Sequence, residues 1–390
     1  MLVSTATVSP LSPLSQTSQA SPAAGDARPF IIALRAVAAI IIAWHHFALY
    51  APLKDWAAPF MGELLDWLAV HARATQVFFV VGGYVMALSM SRRQWRLPQL
   101  GHFLVKRYCR LGLPYLAAMA LVALAYAFAR DWLPEDVTGS PISLPQVLAH
   151  LFFLQGLLGY EQLSAGFWFV CINFQLGLIY VAMLWLRDGP GRGRFNLPLL
   201  LGWPLAAYSL FHFNLNEAWD GWWLYFFPYF FMGVVIHHAV KEARSPAQFW
   251  YYVLLLGAAM IFEWRWRLAS ALLVGALLCH AEWRGWGSRW PGNRLVLKLG
   301  QLSYSLFLVH FPVLVFVGAL WTRLEFNSPE QAALGLGIAF LLSLGLAQLF
   351  HRWVEQPAAA LGRQLMGRGG KGASGRRREP AYTRPALEIR

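Results

Sequence analysis

The sequence has few charged residues and few cysteines for its length. Only 13% of its 390 residues are charged and 58% are hydrophobic, which leaves too little polar surface for a soluble globular protein of this size. The three cysteines, Cys109, Cys171 and Cys279, show no paired spacing. They predict neither a disulfide framework nor a zinc site. The composition indicates a polytopic membrane protein, and we expect no bound metal.

Acidic residues are scarce as well, with 19 Asp and Glu against 32 Lys and Arg, so the formal net charge is +13. The basic residues concentrate in short loops and at the C-terminus, as the positive-inside rule requires of cytoplasmic segments. They lack the stacking aromatic residues or groove-reading context of nucleic-acid recognition. We therefore expect no nucleic acid as a partner. The expected surroundings are the lipid bilayer, with both termini in the cytoplasm.

The apolar segments predict an all-α fold with about ten transmembrane helices. The apolar stretch at 147–158 is too short to span a bilayer. If it crossed, the basic loop with Arg187, Arg192 and Arg194 would lie outside the cell, so we interpret it as one short re-entrant or interfacial helix. The predicted spans are 28–50, 66–90, 111–129, 166–186, 197–213, 221–240, 249–262, 268–281, 299–320 and 331–351.

Three regions follow from this pattern. Residues 1–27 are rich in Ser, Thr, Pro and Ala without a signal-peptide pattern, and are predicted to be a disordered cytoplasmic tail. Residues 28–358 form the predicted transmembrane domain, in which 51–64 is expected to be a polar loop. Residues 359–390 are predicted to be a basic, disordered cytoplasmic tail.

The first predicted span carries Arg35 and the pair His45 and His46 in apolar sequence. Ionisable residues in hydrocarbon usually face a protein interior or a wet cavity. On a helix, Arg35 and His46 lie about 20° apart in angle and roughly 16 Å apart along the axis, whereas His45 lies about 80° from Arg35. The spacing predicts a polar stripe in which His46 acts as a base and Arg35 holds negative charge. A plain helix–helix hydrogen bond is the alternative for the histidine.

Arg107 and Arg110 stand three residues apart where the third predicted span begins. At this spacing two guanidiniums point the same way from a helix and can chelate phosphate groups. The alternative is an ordinary positive-inside signal, which suffices for Arg92, Arg93 and Arg96. The pair therefore predicts a phosphate-rich cytosolic ligand.

Further polar residues lie inside or at the ends of other predicted spans. Ser303 and His310 are seven residues apart, about two helical turns, and share one face. Polar groups on single faces of apolar helices predict a common wet cavity, although such residues are also frequent packing contacts. The possible cavity-lining residues are Gln76, Asn173, Ser303, Tyr304, His310 and Glu355.

With these residues laid out, the chain resembles the acyltransferase-3 family of bacterial integral-membrane acyltransferases, which modify cell-surface glycans. The matching segments keep the family's order over about residues 29–358. They are the pattern of Arg35, ten residues and His46, then VFFVVGGYV, the pair Arg107 and Arg110 before LGLPY, FWFVCINFQLGLIY, SYSLFLVH, and Glu355 before Pro357.

The chain departs from the family pattern at four positions. Ile32 stands where an acidic residue often precedes the first-span arginine, and Gln76 replaces an Asp before the aromatic pair. Gly82 replaces the serine of the usual Ser-Gly, and Asn173 replaces a glutamate after the Trp motif. These departures indicate a divergent acceptor and argue against mechanisms that need those carboxylates.

The resemblance implies a membrane O-acyltransferase that moves an acyl group, most often acetyl, from cytosolic acyl-CoA to a hydroxyl of an extracytoplasmic or lipid-linked carbohydrate. The implied location is the bacterial cytoplasmic (inner) membrane, and acyl-CoA is a co-substrate, so we expect no permanently bound cofactor. Arg107 and Arg110 would hold the CoA phosphates. Arg35 would guide the donor or stabilise charge, and His46 would deprotonate the acceptor or relay the acyl group.

The main alternative is a transporter or flippase with an intramembrane Arg and His substrate path and no covalent chemistry. A scaffold protein would leave the polar helix faces unexplained. A membrane-bound O-acyltransferase of the other large class pairs a His with an Asn, which Asn173 and His310 match poorly. The sequence leaves the acceptor, the acyl chain and the oligomeric state open.

Overall fold

The computed structural model describes residues 29–189, 196–290 and 292–368, and within these ranges the chain forms helices and no strands. The predicted tail 1–27, the loop residues Arg192 and Arg194, and residues 369–390 lie outside the described part. The helices are α1 (Pro29–Phe47), α2 (Leu53–His71), α3 (Thr75–Met90), α4 (Leu97–Arg107), α5 (Leu113–Ala129), α6 (Glu135–Thr138), α7 (Leu144–Leu151), α8 (Phe167–Arg187), α9 (Leu197–Phe211), α10 (Trp223–His237), α11 (Ala247–Phe262), α12 (Trp266–Arg284), α13 (Arg294–Arg323), α14 (Pro329–Phe350) and α15 (Gln356–Arg368).

Seven helices in the described ranges are long and apolar enough to cross a membrane. The prediction of an all-helical membrane bundle is confirmed, whereas the predicted number of about ten spans is not. The short helix expected at 147–158 is α7, which begins at Leu144, ends at Leu151 and is followed by irregular chain.

The prediction of a polar loop at 51–64 is wrong, because these residues belong mostly to α2. Leu53, Ala57 and Leu65 form its buried face, which packs with α14 in a small apolar core. A helix with one buried face keeps its charged residues on the other side, so its composition resembles that of a loop. A break at residues 72–74 separates α2 from α3, so the predicted span 66–90 is two helices.

Two further boundaries differ from the predictions because π-helical segments continue the chain. The π-helix Tyr108–Gly112 joins α4 to α5, so the third span continues a helix that begins at Leu97 and not at 111. The π-helix His351–Glu355 joins α14 to α15. The first ten residues of the predicted tail 359–390 are therefore helical as far as Arg368.

Helix α13 is the buried centre of the bundle and packs against α1, α5 and α14. Its contact with α1 is close at Gly300, where an added Cβ would overlap the carbonyl of Ile32. A glycine at this position lets the two backbones approach. Ile32, one of the departures from the family pattern, therefore contributes to the contact between α1 and α13.

Helices α3 and α10 approach each other through a pair of glycines. A Cβ at Gly83 would overlap the carbonyl of Phe230, and a Cβ at Gly233 would overlap the carbonyl of Val80. Small residues in membrane helices allow this kind of backbone packing. The neighbouring Gly82 faces a different helix and lies beside Asn173 of α8.

We expect Gly83→Ala to destabilise the bundle by about 1–3 kcal/mol, because the clashing atoms belong to a backbone that cannot rotate away. The matched control is Gly337→Ala in α14, where no atom lies within 4 Å of the added Cβ. The control is expected to be neutral or stabilising by up to about 1 kcal/mol. The midpoint of thermal unfolding in detergent measures both effects, and equal midpoints for the two variants would contradict the close approach.

Candidate functional site

Polar side chains along α13 form two groups that we call the serine layer and the histidine layer. The serine layer is Ser303, Tyr304 and Ser305, and the histidine layer is His310 with His46 of α1. His310 lies seven residues beyond Ser303, which is about 10 Å along the helix axis. A single buried helix therefore carries both groups.

The three members of the serine layer point to three different helices. Ser303 Oγ donates to the Gly300 carbonyl at 2.8 Å and accepts from Arg35 Nη2 at 3.0 Å. Tyr304 Oη donates to the carbonyl of Leu111, in the π-helix that precedes α5, at 2.7 Å. Successive residues of a helix are about 100° apart, so three adjacent side chains reach three neighbours.

Ser305 completes the layer by donating to Glu355 Oε2 at 2.6 Å. Glu355 lies in the π-helix after α14, and its Oε2 also accepts from His351 Nδ1 at 2.9 Å. Glu355, Arg110 and Arg107 lie near enough to Tyr304 to act on it electrostatically. The serine layer therefore gathers Arg35, the arginine pair and the terminal glutamate around one stretch of α13.

The histidine layer is a direct contact between α1 and α13. His46 Nδ1 lies 2.7 Å from His310 Nε2, and the planes of the two rings are within 9° of parallel. Both side chains are buried. The neighbouring His45 instead donates from Nδ1 to the carbonyl of Leu68 in α2 at 3.0 Å. The structure thus places His46, and not His45, against the central helix.

The partners of His310 fix the proton positions in the pair. His310 Nδ1 lies 3.0 Å from the Leu306 carbonyl, which only accepts hydrogen bonds, so Nδ1 carries the proton. In the neutral ring, His310 Nε2 is then the acceptor and His46 Nδ1 is the donor. His46 Nε2 is left with its lone pair and is the atom able to take a proton.

The surface of α1 between the two layers is apolar. Ala39 and Ile42, which lie between Arg35 and His46 on the face that packs against α13, are 2% and 1% exposed. The expected polar stripe is therefore two separate polar contacts with packed side chains between them. Arg35 and His46 face the same helix, where Arg35 bonds Ser303 and His46 bonds His310.

Arg107 and Arg110 do not form the symmetric pair that their spacing suggests. Arg110 is exposed in the π-helix. Arg107 inserts between α4 and α8, where Nη2 donates to the Asn173 carbonyl and to Asn173 Oδ1 at 3.3 Å. Its guanidinium also lies over the rings of Phe103 and Phe174. Of the two side chains, Arg110 is exposed and Arg107 is partly exposed.

The hydrogen bonds of the remaining predicted cavity residues, Asn173 and Gln76, go to residues outside the two layers. Asn173 contacts Arg107, and Gln76 is 1% exposed and accepts a long hydrogen bond of 3.5 Å from Thr75. The nearby Gln175 donates to the Phe153 carbonyl at 2.7 Å. These contacts form separate groups, and a cavity common to all of the predicted residues stays a prediction.

A second buried polar group was not anticipated from the sequence. Tyr115 hydrogen-bonds His150 of α7 and accepts from Gln155 Nε2 at 3.2 Å, while His150 Nε2 donates to the Glu161 carbonyl at 3.2 Å. His150 and Gln155 are fully buried. These bonds hold the irregular chain after α7 inside the bundle. The only sequence signal was the shortness of the apolar stretch that contains them.

A buried histidine pair between two packed helices, together with arginines on the helices around α13, defines an integral-membrane protein with an internal polar site. A family profile described as an acyltransferase domain matches residues 28–352. The chain therefore belongs to the acyltransferase-3 family and is a multi-pass membrane acyltransferase. No curated protein and no solved structure matches it.

His310→Ala should lower the rate of acyl transfer by about tenfold or more, because it leaves the His46 ring without the partner that fixes its tautomer. The donor affinity should stay unchanged, which separates this positioning role from a general loss of folding. His45→Ala is the matched control and should keep most of the activity. Steady-state rates and donor binding of the folded, monodisperse variants measure both. Equal rates for the two variants would contradict the role of His310.

Proposed function

We propose that the protein transfers an acyl group, with acetyl as the expected group, from cytosolic acyl-CoA to a hydroxyl of an extracytoplasmic or lipid-linked carbohydrate. The observation that carries the proposal is the histidine pair, whose hydrogen bonds leave His46 Nε2 as a buried base. Its partner His310 lies about 10 Å along α13 from Ser303, which accepts a hydrogen bond from Arg35. The bacterial inner membrane, with both termini cytoplasmic, is the proposed location.

The arginines support a donor that carries phosphate groups. Arg107 and Arg110 both lie within electrostatic reach of Tyr304, and Arg35 contacts the adjacent Ser303. Guanidinium groups bind phosphate through paired N–H donors. We propose that this end of the bundle faces the cytosol and receives the phosphates of acyl-CoA, so that the acyl end of the donor extends along α13 towards His46.

His46 would then act on the acceptor. Its Nε2 takes the proton from the acceptor hydroxyl as the oxygen attacks the thioester carbonyl carbon. The bond between this carbon and sulfur breaks, the acyl group remains on the acceptor oxygen, and the CoA thiolate takes the proton back from His46. No net proton is gained or lost, and free CoA is the second product.

Arg35 fits the role of donor guide better than that of a group stabilising the reacting oxygen. It is bonded to Ser303, and His46 lies roughly 16 Å further along the same helix. Stabilisation of a developing oxyanion needs a donor within hydrogen-bond distance. We therefore propose that Arg35 helps to bind the donor beside Ser303, and that the histidine pair alone acts on the reacting groups.

A transporter or flippase with the same intramembrane residues remains the alternative from a different class. Membership of an acyltransferase family favours covalent transfer. The transferase and the carrier can be distinguished by their products, because a transferase consumes acyl-CoA and releases free CoA whereas a carrier does not.

His46→Ala should reduce the release of free CoA by purified protein by about 10²–10⁴-fold, the usual contribution of a general base. Acetyl-CoA binding should persist, because the arginines are untouched. Thiol titration of the released CoA gives the rate. Release at the wild-type rate from the variant would rule out His46 as the base, and no release from the wild type in the presence of a cell-envelope acceptor extract would rule out the transferase itself.

The double variant Arg107→Ala/Arg110→Ala should weaken acetyl-CoA binding by about tenfold or more through the loss of charge-assisted hydrogen bonds. Arg92→Ala/Arg93→Ala removes the same charge from the neighbouring loop and is the matched control. Titration calorimetry with acetyl-CoA compares them. If both pairs weaken binding equally, Arg107 and Arg110 contribute only to the general positive charge.

A further inference from the structure

An apolar groove runs along α13 between α5 and α14, the two helices that pack against it on this side. Its volume is about 760 Å³. Binding sites for small ligands span roughly 300–1,000 Å³. The groove is lined by apolar residues of all three helices, among them Leu124, Phe128, Pro312, Phe316, Leu342 and Gly345. Because a polar ligand would lose its hydrogen bonds among these side chains, the groove suits a hydrocarbon chain.

The groove is open from the side. Gly345 of α14 is exposed, and no atom lies within 4 Å of a Cβ added to it. The wall residues Leu124, Phe316 and Leu342 are exposed as well. In a bilayer these surfaces meet lipid, so a hydrocarbon chain can enter the groove without displacing packed side chains.

This groove is separate from the histidine layer. Pro312 follows His310 by two residues, which places it about 200° around α13 from His310. His310 contacts His46 of α1, whereas Pro312 faces the groove between α5 and α14. The groove therefore lies on the opposite side of the central helix from the candidate base, and an inference about it is independent of the proposed function.

Arg323 lies above one end of the groove. It follows Phe316 by seven residues, which places it on the same face of α13, about 20° away in angle and roughly 10 Å further along the axis. Its guanidinium carbon lies 5.4 Å from the ring centre of Trp132, which follows Phe128 by four residues just beyond the end of α5. A tryptophan and an arginine at helix ends are typical of the polar boundary of a membrane.

The charge of Arg323 is available to a ligand. Arg323 is exposed, and its contact in the structure is the neutral ring of Trp132. Within the described ranges no ion pair joins it to the nearby carboxylates of Asp131 or Glu325. A guanidinium binds phosphate through paired N–H donors. The groove thus combines space for a hydrocarbon chain with a cation at its end.

We propose that the groove binds a membrane lipid with an anionic headgroup. The hydrocarbon chain lies along Phe316 and Gly345, and the phosphate group lies at Arg323. A free phosphate compound would leave the apolar groove empty, and a lipid without net charge would leave Arg323 unbalanced. The occupant that satisfies both features is an anionic lipid.

The hydrocarbon part of the site is tested by filling the groove. Native mass spectrometry of the purified full chain in detergent measures the retention of phosphatidylglycerol and of phosphatidylcholine with identical chains. Gly345→Trp should reduce the retention of both lipids by about tenfold or more, the equivalent of two buried methylene groups. Gly337→Trp is the matched control, because its Cβ also meets open space but lies outside the groove lining. It should retain both lipids as the wild type does.

The smaller Gly345→Leu, with Gly337→Leu as its control, should give an intermediate loss and keeps the test decisive if the tryptophan variant does not fold. Unchanged retention in the folded Gly345 variants, or an equal loss in the Gly345 and Gly337 variants, would show that the lipid contacts the protein surface in general. Either result would overturn the groove as the site.

The headgroup is tested at Arg323. The wild type should retain phosphatidylglycerol in preference to phosphatidylcholine. Arg323→Ala should lower this preference by about fivefold, the factor expected for one arginine at an anionic lipid surface, and should leave phosphatidylcholine retention within about twofold. Arg130→Ala is the matched control, because Arg130 lies about 200° around α5 from Phe128 and points away from the groove. A preference that is absent from the wild type, or that both variants lose equally, would contradict the anionic lipid.

Discussion

The structure depends on α13 being a buried helix that carries polar side chains on several faces. Buried polar groups in a membrane bundle need hydrogen-bond partners, because no water is present to replace them. Ser303, Tyr304 and Ser305 meet this requirement through bonds to α1, to the π-helix before α5 and to the π-helix after α14. The same bonds that satisfy the central helix therefore bring the candidate donor-binding residues together, and the His310 contact with His46 extends the arrangement along the same helix.

Much of this could be predicted from spacing alone, because helix geometry fixes which residues share a face. Arg35 and His46 are eleven residues apart and therefore share one face of α1, and Ser303 and His310 are seven residues apart and share one face of α13. In the structure these two faces pack against each other. On the helix His45 points about 80° away from Arg35. This agrees with its contact to Leu68 of α2 instead of α13. Periodicity does not show which helices are neighbours, so the partners Arg35 with Ser303 and His46 with His310 could not be derived from it.

Other features escaped prediction for identifiable physical reasons. The amphipathic α2 has the composition of a loop because only one of its faces is buried. The π-helices at Tyr108–Gly112 and His351–Glu355 add residues to a turn and so change the direction of Arg110 and Glu355, and such segments are frequent at functional sites. Arg107 and Arg110 have different surroundings because Arg107 hydrogen-bonds Asn173 of α8. Since α8 lies far from both arginines in the sequence, their spacing could not show this contact. The His150 and Tyr115 contact depends on the same long-range packing.

The central claim is that the histidine layer performs acyl transfer to a surface molecule. Mass spectrometry of the surface glycans and lipids of cells that carry the gene, lack it, or carry it with His46→Ala tests this claim most directly. The account predicts a carbohydrate-containing product that is heavier by one acyl group in the first cells and is lost in both of the others. Identical glycans and lipids in all three, or an acylated product that persists with His46→Ala, would contradict it.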